Sequence, residues 1–92
     1  MTDLGEKAKD YVTYSLNLSR KDGESPLFGL TMDGNRVIEV NISYPAGHMI
    51  RVGDEILSIN GVNTTNLDHQ SINNLLTLRK FMILTLRRSS KY

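Results

Sequence analysis

The sequence predicts a mainly β protein with some α, a small and partly open antiparallel β barrel of five or six strands with one long and one very short helix. Three observations lead there. Short segments alternate apolar and polar side chains, the period of a strand with one buried face. The pairs Asp33-Gly34 and Asn60-Gly61 punctuate these segments where tight turns would fall. Only the region around Ile72 has the i, i+3, i+4 apolar spacing of an amphipathic helix.

Taken in order, residues 1–10 form a polar leader, expected to be poorly ordered. The first strand starts at Tyr11 or Val12, where Val12, Tyr14, Leu16 and Leu18 alternate with Thr13, Ser15 and Asn17. Arg20 to Pro26 is charged, contains Gly and Pro, and breaks the alternation, so it reads as a loop. Phe28 to Met32 is a second strand. After the Asp33-Gly34-Asn35 turn, Arg36 to Ile42 pairs back with Val40 and Ile42 inward. Tyr44 to Met49 leaves room for little more than one helical turn. Glu55 to Asn60 is the next strand, and Asn60-Gly61 ends it. The long helix follows, with Asp68 as N-cap, Leu67 packing on Ile72 as a hydrophobic staple, and Ile72, Leu75 and Leu76 on the buried side. Met82 to Leu86 is the last strand, with Met82, Leu84 and Leu86 inward. Arg87 to Tyr92 reads as polar tail, so the domain is expected over residues 11–88, with 89–92 following it.

Composition narrows the function classes. Ninety-two residues suit one small domain, and 39% hydrophobic with 23% charged residues fits an ordinary globular chain. A net charge of +1 with scattered basic residues offers no footprint for nucleic acid or an anionic membrane. Without cysteine there is neither a disulfide framework nor a thiolate metal site, which suits a cytoplasmic setting. The first ten residues are too polar for a signal peptide, and no apolar run reaches membrane-spanning length. Asn17, Asn41 and Asn63 each open a glycosylation sequon, read as chance matches. His48 and His69 lack metal-ligand spacing, no serine stands in a nucleophile-elbow context, and no Gly-rich phosphate loop is present. The chain is therefore read as non-enzymatic, with no cofactor.

Ser25-Pro26-Leu27-Phe28-Gly29-Leu30 is the segment that points to a binding site. A Gly between apolar residues lets the backbone turn tightly and aim consecutive N–H groups at one spot, where a carboxylate can sit. Together with Arg51-Val52-Gly53-Asp54-Glu55-Ile56-Leu57-Ser58-Ile59-Asn60-Gly61 and with His69 at the helix start, this order and spacing resembles a PDZ domain over about residues 11 to 88. Two positions depart from the family pattern. Leu27 stands where the family usually has Gly, and the connection from Ala46 to Val52 is short, implying a trimmed first helix.

The resemblance implies a module that binds the C-terminal tails of other proteins, membrane-receptor and channel tails included, by adding them as a strand to Phe28–Met32. It implies a scaffold or adaptor role in signalling, in the cytoplasm or at membranes through partners. The N–H groups of Phe28, Gly29 and Leu30 would hold the terminal carboxylate, supported by Arg20 or Lys21. The last side chain would enter a pocket of Phe28, Leu30 and Leu76, with Met32 deeper and Ile72 beside it. His69, sharing a helical face with Asn73 and Leu76, would select Ser or Thr third from the end. Thr31 and Asn41 would flank the penultimate residue, and Asp33 would favour an upstream cation. An alternative is homotypic assembly, because Ser90-Lys91-Tyr92 resembles the ligand pattern just described.

Overall fold

A computed structural model describes residues 11–89. Six strands form one sheet: β1 (Tyr11–Ser19), β2 (Leu30–Asp33), β3 (Arg36–Val40), β4 (Glu55–Ile59), β5 (Val62–Asn63) and β6 (Phe81–Ser89), with a 3-10 helix at Pro45–His48 and one α-helix, α1, at His69–Thr77. The strand order is β1-β6-β4-β3-β2, with β5 pairing β4 off this path, and every pairing is antiparallel. This is the architecture expected. The residues 1–10, expected to be poorly ordered, and the Ser90-Lys91-Tyr92 tail lie outside the described residues.

Alternation builds the core. Met82, Leu84 and Leu86 are completely buried along β6, as their period of two requires, and Ile56 and Ile59 meet them from β4. α1 closes the barrel by burying Ile72 and Leu76. Its start is the expected one: the Asp68 carboxylate accepts the Ser71 N–H at 2.8 Å, and that bond holds the Asp68 carboxyl below the usual carboxylate range. Leu67 packs against the same core.

Three boundaries differ from expectation. β2 begins at Leu30, because Phe28 and Gly29 hold φ of 60° and 81°, and two successive left-handed residues cannot continue a strand. β3 ends at Val40, and Ile42 is 67% exposed, whereas Val37 is the fully buried residue; the register break between Thr31 and Met32 shifts which side chains face inward. β6 continues through Arg87, Arg88 and Ser89, opposite Thr13, Val12 and Tyr11, where a polar tail was expected. The reason is electrostatic.

Arg87 pairs with Glu55, and Arg88 pairs with Asp54. Asp54 is 1% exposed and accepts from four donor atoms. Arg88 Nε and Nη2 approach its carboxylate at 3.0 and 2.8 Å, the Arg51 N–H lies at 2.9 Å, and the Tyr14 hydroxyl completes the set. Arg88 Nη2 also reaches the Met49 carbonyl at 2.9 Å, and its guanidinium lies over the Tyr14 ring. Gly53, at φ 98°, makes the turn that places this carboxylate inward. Burial alone would raise the Asp54 carboxyl, but the Arg88, Arg51 and Tyr14 hydrogen bonds outweigh it and hold the group below its ordinary value. Burial, then Asp54, push the Tyr14 phenol upward. Among the described residues no helix is long and apolar enough to cross a membrane.

Because Asp54 ionises more readily in the native than in the unfolded chain, its contribution is complete above about pH 4 and is lost as pH falls through the lower native value. Asp54→Asn should cost roughly 3–5 kcal/mol, since it leaves Arg88 without its buried partner. Urea denaturation at pH 7 checks the loss. Repeating it towards pH 3 should show the wild type losing stability faster than the variant.

Candidate functional site

The segment before β2 is a double turn. Phe28 N–H donates to the Ser25 carbonyl at 3.1 Å, and Leu30 N–H donates to the Leu27 carbonyl at 3.0 Å. In this conformation the expected row of three donors is not open. Two of them close turns within the loop, and Gly29 N–H is the member of the trio with no backbone partner among the described residues. With Leu27 where the family usually has Gly, the left-handed residues of this loop are Phe28 and Gly29. A left-handed Phe is strained by on the order of 1–3 kcal/mol, and burial of its ring to 3% exposure holds it there.

Tyr44 clamps this loop. Its hydroxyl accepts the Ser25 N–H at 3.3 Å, and a Cβ added at Gly29 would stand 2.6 Å from its ring. The Asn41 N–H donates to the Gly29 carbonyl at 2.9 Å, while the Asn41 side chain accepts the Ser43 N–H in a local turn. Asn41 thus shapes the loop from behind. A cleft of about 560 Å³ opens beside it, bounded in part by Gly29, Thr31, Glu39, Asn41 and Tyr44. Sequence reasoning missed Tyr44, because nothing near it in the chain indicates a partner fifteen residues away.

The groove residues divide into floor and rim. Phe28, Leu30, Met32, Ile72 and Leu76 are 3, 4, 4, 0 and 0% exposed, so the expected pocket is packed shut as part of the core. Thr31 and Asp33 are exposed on β2, and Thr31 Oγ1 bonds Glu39 at 3.3 Å. His69 and Asn73 share one face of α1, as their i, i+4 spacing requires. The His69 Nδ1 accepts the Gly34 N–H at 3.1 Å, which ties the start of α1 to the β2–β3 turn. With Nδ1 accepting, a neutral ring carries its proton on Nε2, and that N–H bonds the Asn73 amide at 3.0 Å when the amide is turned so that its oxygen accepts. Both imidazole nitrogens are thereby engaged within the protein. The other Asn73 amide atom is buried without a partner.

The far end of α1 has a matching tie. Arg20 Nη1 and Nη2 donate to the Leu76 and Thr77 carbonyls at 3.2 and 3.1 Å, and the guanidinium lies 5.0 Å from the Phe28 ring centroid. Arg20 caps the helix and covers the loop. Lys21 is exposed, and its backbone N–H donates to Glu24 at 2.7 Å. A short strand at the sheet's end, a backbone turn with positive φ and a helix beside that strand frame the candidate site, an arrangement suited to an interaction module.

Sequence and structure comparisons agree with that class. The PDZ domain family model matches residues 16–83, and the chain belongs to the PDZ family. PDZ domains are non-enzymatic protein–protein interaction modules. Among solved structures, the chain is similar to Dlg1 PDZ2 (mbDLG-2) of the choanoflagellate Monosiga brevicollis, at 18% identity and a TM-score of 0.72, covering 82% of this chain and 97% of that one. It is also similar to INAD PDZ45 in complex with an NG2 peptide, at 18% identity and a TM-score of 0.71, covering 86% of this chain and 42% of that one. At these identities the likeness establishes the fold. No curated protein matches the sequence.

Gly29→Ala should destabilise the domain by roughly 1–3 kcal/mol, through its positive φ and its overlap with Tyr44. Adding Tyr44→Ala removes the overlap, so in thermal denaturation the double variant should lose less than the sum of the single losses. His69→Ala should accelerate amide exchange at Gly34, by the equivalent of about 0.5–1.5 kcal/mol. Unchanged exchange would mean that the imidazole does not hold the turn.

Proposed function

We propose that this domain captures the free C-terminal tails of partner proteins by strand addition along β2, with preference for ends of the form Ser/Thr-any-hydrophobic. The reading is that of a scaffold or adaptor module, non-catalytic, acting in the cytoplasm or at membranes through partner tails. Family membership supports it, and one geometric feature carries it: the left-handed Phe28-Gly29 turn leaves the Gly29 N–H without a backbone partner among the described residues, at the start of a terminal strand. A carboxylate accepts such an amide strongly. Opening of the Ser25 and Leu27 turn bonds on ligand entry would add the Phe28 and Leu30 donors, with Lys21 or Arg20 supplying positive charge nearby.

The groove must open for the last side chain to enter. Parting α1 from β2 would free Phe28, Leu30, Ile72 and Leu76 to line the pocket, with Met32 deeper. Burial of one aliphatic side chain there contributes roughly 1.5–3 kcal/mol. His69 would exchange the Gly34 N–H for a ligand hydroxyl at Nδ1, which supports selection of Ser or Thr third from the end. Asn73 offers its buried, unpartnered amide atom to the same region. Thr31 would flank the penultimate residue, and exposed Asp33 would favour Lys or Arg further upstream.

Fluorescence anisotropy with a peptide ending Glu-Thr-Arg-Val, as free acid and as C-terminal amide, tests the carboxylate. The acid should bind with an affinity on the order of micromolar, about −8 kcal/mol, and the amide should not. Equal binding of both forms would remove terminal capture and leave recognition of the strand edge. In the same assay, His69→Ala should lose discrimination between Thr and Ala third from the end. A uniform loss across all peptides would assign the imidazole a purely structural part.

A further inference from the structure

The two ends of the sheet are protected very differently. β2 spans only Leu30–Asp33, has a register break between Thr31 and Met32, ends in a charge, and lies beside α1. β1 is nine residues long, pairs with β6 without a break, and its sequence YVTYSLNLS contains no charge and no proline. Edge strands in natural proteins are normally blunted by shortness, charge, proline or a bulge, because open N–H and C=O rows recruit another strand. β1 has none of these devices.

The phase of its hydrogen bonds shows which groups are open. The Arg20 N–H bonds the Lys80 carbonyl at 2.9 Å, in register with the β1–β6 ladder. Opposed residues in an antiparallel pair alternate between bonded and non-bonded. The even-numbered residues of β1 therefore bond to β6, and Tyr11, Thr13, Ser15, Asn17 and Ser19 turn their N–H and C=O groups outward. These have no backbone partner among the described residues.

We propose that the open edge of β1 is a self-association surface, on which β1 of a second copy pairs antiparallel about a two-fold axis through Ser15. The outward set is symmetric about that residue. Tyr11 opposes Ser19, Thr13 opposes Asn17, and Ser15 opposes itself, all in bonded phase. On the inner face Val12, 54% exposed in the single chain, comes beside Leu18 of the second copy, and half-buried Tyr14 comes beside Leu16. No like charges meet, and the nearest cations one strand away are already paired, Arg87 with Glu55 and Arg88 with Asp54. β2 lies at the other end of the sheet, so peptide capture and pairing are compatible. A contact about 30 Å long through single strands is smaller than the roughly 1,600 Å² of a standard interface, so the dimer is weak and concentration-dependent.

Sedimentation velocity on the full chain from about 10 μM to 1 mM reads the association directly, in the range where small transient interfaces populate. The apparent mass should rise from 10.4 kDa towards twice that value. Ser15→Lys places two ammonium groups face to face on the axis and should remain monomeric, with unchanged melting and peptide binding. It leaves the C-terminal tail intact, so its effect separates β1 pairing from tail docking. Amide exchange on the wild type provides the second reading: Thr13, Ser15 and Asn17 should gain protection with concentration, and Tyr14 and Leu16 should not. A wild type that stays monomeric, or a dimer that survives Ser15→Lys without that alternating gain, overturns the proposal.

Discussion

The buried Asp54 carboxylate is the interaction on which the arrangement of strands depends. It gathers a hydroxyl from β1, a guanidinium from the end of β6 and a backbone N–H from the turn that starts β4. A buried carboxylate is costly unless its oxygens are satisfied, and here each accepts a charge-assisted bond. Its reach explains why β6 extends to Ser89 and why β1 can pair along its whole length. The neighbouring Arg87–Glu55 pair, with Arg87 also over the Tyr11 ring, adds a second fastening to the same corner. The first and last strands are thus held side by side, and the rest of the sheet grows from them.

At the opposite end of the sheet, hydrogen bonds of a weaker kind decide the state of the groove. His69 on Gly34 and Arg20 on Leu76 and Thr77 secure the two ends of α1, while the apolar floor between them is packed closed. Each such bond contributes on the order of 0.5–1.5 kcal/mol net. Releasing all three would cost about 1.5–4.5 kcal/mol, less than the roughly 8 kcal/mol in a micromolar complex. A closed groove is therefore compatible with peptide binding, at some loss of affinity relative to a groove already open. The strained Phe28-Gly29 turn under Tyr44 belongs to the same balance, since it is held by packing and not by local preference.

The two sheet edges follow opposite strategies. β2 is short, irregular and flanked by a helix, so a strand would add to it only where side chains and loop agree. β1 is long and regular, with nothing in its composition to repel a copy of itself. Under the proposed roles the difference is one of selectivity, because an edge guarded by α1 would read its ligand whereas an unguarded edge would read only backbone and register.

The sequence by itself determined the strand phases of β1 and β6, the Asp68 cap, the helical stripe of Ile72 and Leu76, and the family. These are local properties, written in alternation, capping chemistry and a contiguous motif. The resemblance also pointed to the loop and to the His69 face of α1. What it could not contain was the partner of each polar group. Asp54 reads in sequence as part of a turn, yet its partners stand forty and thirty-four residues away at Tyr14 and Arg88. Likewise, the donors of Phe28 and Leu30 are turned inward by a loop whose shape depends on Tyr44, and Arg20 finds the end of α1 only once the barrel has closed. Period and propensity act over a few residues, whereas the satisfaction of buried charges and the closure of the groove depend on strands that meet only in the folded chain.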